Sequence, residues 1–119
     1  MKYAALLTSN ADDIVAWEQL SPEERESEMG EYMALSAADV TRGGNELDSI
    51  ATATTVRVRG DETLVTDGPF VELKEVLGGY YVFECDSIDE ACTWAARIPA
   101  AKHGAIEVRP VFVDGGEQS

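Results

Sequence analysis

The chain has 119 residues and a formal net charge of −14, with 45% hydrophobic and 27% charged residues. That length fits one domain, residues 1–113, which can bury most of the surface its unfolded form exposes, followed by a flexible polar tail, 114–119. Strong acidity excludes nucleic acid and anionic membrane surfaces as partners, because both are held by Lys and Arg; no apolar run approaches the roughly 20 residues of a membrane span.

Met1 to Thr8 reads as a short buried strand ended by the turn residues Thr8, Ser9 and Asn10. The apolar segment after Lys2 is shorter than the core of a signal peptide, so a cytoplasmic location is expected. A brief helical turn is expected around Asp12 to Leu20. Ser21, Pro22 and Glu24 then mark a helix start: Ser21 caps, Pro22 suits the first position and Glu24 completes a capping box. Met29, Tyr32, Met33, Ser36 and Val40 recur at helical spacing, which predicts an apolar face opposite a wet glutamate face, with Gly43-Gly44 as the stop. Glu18 to Glu31 holds six Glu against Arg25 alone, and reads as a solvated acidic surface.

The middle is β. Ser49 to Arg59 is rich in Thr and Val, and Gly60-Asp61 turns the chain into Glu62 to Thr66 as a hairpin. Gly79 to Cys85 is a further strand with Tyr81, Phe83 and Cys85 on one face and Tyr80, Val82 and Glu84 on the other. Ser87 and Glu90 repeat the capping signal, Ile88, Ala91, Cys92, Ala95 and Ile98 form an apolar stripe, and Pro99 ends the helix. Cys85 and Cys92 have neither metal nor redox spacing and read as buried thiols. Ala105 to Val113 is the last strand, and Pro110 within it demands a sheet edge or a change of partner.

Helices that connect strands of one sheet by right-handed crossovers pack on one face of it. The expected fold is α+β, a ferredoxin-like split βαβ sandwich with an inserted β-hairpin. Its other face, with residues alternating along Tyr80 to Cys85 and Val56 to Val58, then calls for a second copy, so a homodimer with facing sheets is expected.

Chemistry has few candidates. The stretch Thr66-Asp67-Gly68-Pro69-Phe70 sets a carboxylate at a tight turn; Asp67 either closes an Asx-type turn or presents its charge to a ligand. His103 is the sole histidine, so any imidazole general base is this residue, and Asp67 in the other irregular segment can orient it if the two loops approach. Glu72 is either a second carboxylate of the site or a surface residue, and Tyr81 either lines a pocket or fills the core. Arg109 can clamp a ligand carboxylate or pair with a strand acid such as Glu107. Arg97, Lys102, His103 and Arg109 fall within 13 residues, as an anion site or as ordinary surface charge. No Gly-rich phosphate loop, serine elbow, cofactor motif or paired His/Cys metal ligands occur.

Several motifs in order carry a family likeness: Thr66-Asp67-Gly68-Pro69-Phe70-Val71-Glu72, Lys74-Glu75 with Gly78-Gly79-Tyr80-Tyr81, Asp89-Glu90-Ala91 with Trp94-Ala95, and Pro99-Ala100-Ala101-Lys102-His103-Gly104 leading to Ile106-Glu107-Val108-Arg109-Pro110-Val111. With them the chain resembles the YCII-related family, in its DGPF-type branch, over nearly its whole length. The resemblance implies a dimeric α+β barrel of the ferredoxin-like kind. It implies a small-molecule enzyme with a His–Asp pair in a cleft, a role that falls here to His103 and Asp67. It equally implies an accessory role beside an extracytoplasmic-function sigma factor, for which the acidic helix would suit a basic protein partner.

Overall fold

The computed structural model describes residues 1–68 and 75–113. Glu72, the Pro69-Phe70 half of the sharp turn and the tail 114–119 lie outside the described residues. Alternation builds the sheet. In β1 (Lys2–Ser9) Tyr3 and Ala5 are buried against the helices, whereas Ala4 and Leu6 point the other way and are half-buried. β5 (Val76–Glu84) does the same with Tyr81 and Phe83, against Tyr80 and Val82. The two strands pair antiparallel at the centre. β6 (Ala105–Pro110) pairs antiparallel with β1, and β2 (Thr41–Glu46) with β5, giving the order β2-β5-β1-β6. This is the expected α+β, ferredoxin-like arrangement, with β1 and β2 parallel and β5 between them. β6 is an edge strand, so Pro110 costs the ladder no bond, and the strand ends there rather than at Val113.

Between β2 and β5 the chain leaves the sheet to form the inserted hairpin. Its strands β3 (Thr54–Arg59) and β4 (Glu62–Asp67) make a separate two-stranded sheet, and Gly60, at φ +61°, turns it.

Helix starts follow local capping chemistry. Asn10 caps α1 (Ala11–Glu18) and its own N–H donates to the Asp13 carboxylate, and Ser21 caps α2 (Pro22–Ala37) while its N–H donates to the Glu24 carboxylate. At α3 (Ile88–Ala95) Ser87 accepts from the Glu90 N–H, but the Glu90 carboxylate accepts from Asp86 N–H, one residue before the cap. The core on the helix side joins Tyr3, Ala5, Leu35, Tyr81, Phe83, Cys85, Ala91, Ala95 and Ile98. Tyr81 and Phe83 stack with centroids 5.6 Å apart, and Trp94 tilts against Phe83 at 6.4 Å.

Four local expectations change. Helix α2 stops at Ala37, six residues before Gly43, with the Ala38 N–H and the Thr41 hydroxyl both donating to the Leu35 carbonyl. Gly43 and Gly44 belong to β2, where a Cβ on Gly44 would meet the Tyr80 carbonyl at 2.6 Å; glycine is there for close strand approach, not as a helix stop. The inward stripe of α2 is Glu28, Glu31, Tyr32 and Leu35, while Met29 and Met33 are 56% and 67% exposed. Cys92 is exposed, unlike Cys85, whose thiol is pushed up from its ordinary ionisation range by burial. Among the described residues, no helix is long and apolar enough to cross a membrane.

Candidate functional site

Helix α2 meets the short 3₁₀ turn Pro99–Lys102 at His103, whose backbone N–H closes that turn on the Ala100 carbonyl. His103 Nε2 lies 2.7 Å from Glu28 Oε2, and both side chains are largely buried, at 19% and 13% exposure. One helical turn along α2, Glu31 Oε1 is 3.8 Å from Lys102 Nζ in a far more exposed pair that adds little. Sequential residues of the turn thus engage residues three apart on one helix face.

An Nε2–H donating to the Glu28 carboxylate fixes the ring orientation and leaves Nδ1 with the free lone pair. That is the arrangement of an oriented base. The other carboxylate oxygen, Glu28 Oε1, is buried and has no hydrogen-bond partner among the described residues. Gly104 then presses the chain onto the end of β1: a Cβ there would lie 2.4 Å from the Thr8 carbonyl, 3.1 Å from Ser9 Oγ and 3.4 Å from Asp13 Oδ2. Asp13 therefore brings a second carboxylate next to the His103–Gly104 segment.

The remaining candidates are dispersed. Asp67 ends β4, is exposed, and its carboxylate makes no hydrogen bond or ion pair among the described residues. Its turn is held by other groups: Gly68, at φ +95°, donates its N–H to the Ala53 carbonyl at 2.7 Å, and Thr55 Oγ1 donates to the Gly68 carbonyl at 2.8 Å. Within one chain the imidazole is paired with Glu28, not with Asp67. Tyr81 is a core residue whose hydroxyl donates to the Tyr32 carbonyl at 3.2 Å and sits 3.4 Å from Ser36 Oγ. Arg109 is exposed on β6 opposite Ala4, on the face of the sheet away from the helices, and is unpaired among the described residues. Glu28 is the residue that sequence reading missed. It is one of five acids on α2, in a stretch that reads as a solvated acidic surface, and only its i, i+4, i+7 spacing to Tyr32 and Leu35 sets it apart.

Residues 1–113 match the YCII-related domain. The chain belongs to that family. An uncharacterised protein of Rhizobium meliloti (strain 1021) is 37% identical over 119 residues, covering 93% of this chain and 92% of its own.

Two further features of this YCII-related domain lie on the elements that adjoin His103. An apolar cleft of about 210 Å³ opens between α3, the 3₁₀ turn and β6, lined by Cys92, Ala95, Ala96, Ala101, Ile106 and Val108. Among the described residues, no group of three His, Cys, Asp or Glu side chains is placed to hold a metal. On the other element, Tyr32 is pushed up to about 12 by burial, with the negative charge of Glu28 adding and the Ala100 backbone opposing.

The Tyr32 shift has a consequence for stability. Its folded value lies above the ordinary 10.0, so the folded state keeps the phenol proton longer than the unfolded chain. The contribution is intact below pH 10, and is lost as pH rises through about 12. Urea unfolding measured at pH 9 and pH 11 is expected to show a larger drop for wild type than for Tyr32→Phe. Equal drops would show that this hydroxyl is not desolvated.

Proposed function

We propose that this YCII-related domain works as a homodimer that binds a small molecule at the His103 end of its sheet and transfers a proton there. The single observation carrying this is the 2.7 Å contact between a largely buried imidazole and the Glu28 carboxylate, on a chain with no other histidine. In this reading His103 Nδ1 is the group that takes or gives the proton, and Glu28 orients the ring. Asp67 is the second acid–base group, and Arg109 and Glu72 contribute to ligand binding. Support for a dimer comes from the helix-free face, where Ala4, Leu6, Tyr80 and Val82 form a half-buried centre flanked by exposed Glu107 and Arg109. The test is a ligand-observed NMR screen of small hydroxyl and carbonyl compounds against wild type and His103→Ala. Compounds that bind wild type are expected to lose binding to the variant while its amide spectrum stays folded. Undiminished binding to His103→Ala overturns the reading.

A second reading has its own observation. Met29 and Met33 are exposed on α2 beside the exposed acids Glu23, Glu24 and Glu26, which suits docking to a basic protein such as an extracytoplasmic-function sigma factor. Capture of the purified sigma factor at low salt, weakened by Met33→Asp and by high salt, is the expected result. Salt-independent or absent capture removes this option.

A further inference from the structure

Helix α2 has a shaped apolar stripe on its outer side. With Glu28, Tyr32 and Leu35 turned inward, Glu26, Met29, Gly30 and Met33 project away from the core, and all four are exposed. They stand at i, i+3, i+4 and i+7, the spacing of the four residues that frame a hole for one knob of a facing helix. Gly30 is the floor of that hole, since a Cβ built on it would meet nothing within 4 Å. A glycine inside a helix destabilises it relative to alanine, and here no neighbour within the described residues uses the space it leaves. One turn before Met29, Arg25 lies over the Trp17 ring of α1 at 4.7 Å and donates to the Glu18 carbonyl at 2.6 Å. That contact carries the stripe onward to exposed Trp17.

Charge says what fits there. Residues 11–37 hold eight acids and one cation, Arg25, which is already engaged with Trp17 and Glu18. Glu26 forms one corner of the hole, and exposed Glu23, three residues before it, adds a second negative charge. A second copy of the chain fits badly, because it brings the same acids face to face on molecules of net charge −14. Anionic membranes and nucleic acid are disfavoured on the same ground. A basic amphipathic helix matches both properties of the face. Its apolar knobs fill the methionine-walled hole, and its lysine or arginine stems run over the methionines to reach the acids.

We propose that the outer face of α2, framed by Glu26, Met29, Gly30 and Met33, is a docking groove for a basic amphipathic helix of a partner protein. This rests on the second reading, in which α2 meets a basic protein, and it gives the form of that partner. The unbranched methionines adapt to the side chains presented, while Gly30 sets the point at which the two helices come closest.

The test uses the full chain and a probe peptide of leucine and lysine, about 18 residues long, with leucine recurring at helical spacing. A scrambled peptide of the same composition keeps the charge and loses the apolar stripe. Binding is read from the anisotropy of a fluorophore on the peptide, at low and at high salt. The patterned peptide is expected to bind wild type, to bind less well at high salt, and to bind Gly30→Gln about tenfold more weakly. That substitution fills the hole without changing the charge. It also puts a better helix former into open space, so urea unfolding is expected to show a fold at least as stable as wild type. Equal binding to Gly30→Gln, equal binding of the scrambled peptide, or binding of neither would each overturn the proposal. A dimer by light scattering that Gly30→Gln dissociates would overturn it too, by giving the face to a second copy. Failure of sigma-factor capture with the peptide pattern intact would instead count against that one partner alone.

Discussion

Replacing Phe83 by alanine is expected to lower the free energy of unfolding by about 3–5 kcal/mol, the range for emptying an aromatic site in a packed core. Phe83 is fully buried in the central strand β5, stacked on Tyr81 and tilted against Trp94, with Thr41 of β2 and Tyr3 of β1 as its cross-strand neighbours. The hole cannot collapse easily, because both neighbouring strands are tied to β5 by their ladders and the helix-side residues Ala91 and Ala95 are too small to fill it. A domain of this size has about 5–15 kcal/mol in all, so the variant sits near the threshold of folding. The check is a urea titration beside Phe112→Ala, whose ring is 88% exposed and whose loss is expected to fall within about 0.5 kcal/mol. A Phe83→Ala loss below about 1 kcal/mol would mean that the sheet does not pack against α3 as described.

The same core shows what a single sequence can and cannot reveal. The face shared by Tyr81, Phe83 and Cys85 is a period-two pattern, and burying one face of a pleat is a local property. Capping at Ser21 and Ser87 is equally local, since each cap satisfies N–H groups within three residues of itself, whereas Asn10, which reads as a turn residue, also caps α1. The strand order followed from connectivity and the hand of crossovers. What misled was long-range. Gly43-Gly44 looks like a helix stop by composition, but its place in β2 is decided by pairing with β5 nearly 40 residues later. The inner face of α2 cannot be read from hydrophobicity, because two methionines face water while Glu28 turns inward to the one imidazole 75 residues away. A carboxylate accepts burial when a ring N–H meets it, and nothing near Glu28 in the chain announces that donor. Asp67 is identifiable in the sequence as an unusual turn residue, and the fold leaves its carboxylate exposed at the end of β4.

Gly104 joins the fold to the site, and Gly104→Ala is expected to cost about 2–3 kcal/mol. Its φ is not in the left-handed region, so the requirement is one of space rather than of backbone freedom. A new Cβ would sit 2.4 Å from the carbonyl oxygen of Thr8, a backbone atom that cannot swing aside like the end of a side chain. Thr8 is itself fixed on the other strand, since it pairs with Ala105 and its hydroxyl donates to the Ala105 carbonyl at 3.2 Å. Relief must come from moving the start of β6 away from the end of β1, which carries His103 with it and stretches the contact to Glu28. Thermal unfolding is therefore expected to fall together with a change in the His103 ring cross-peaks. Gly30→Ala supplies the contrast. That glycine lies inside α2 with nothing within 4 Å of its added methyl, so the helix is expected to gain about 0.5–1 kcal/mol while the ring signals stay in place. If both alanine variants behaved alike, the His103 segment would not be pressed against β1, and the orientation of the imidazole would have to come from Glu28 alone.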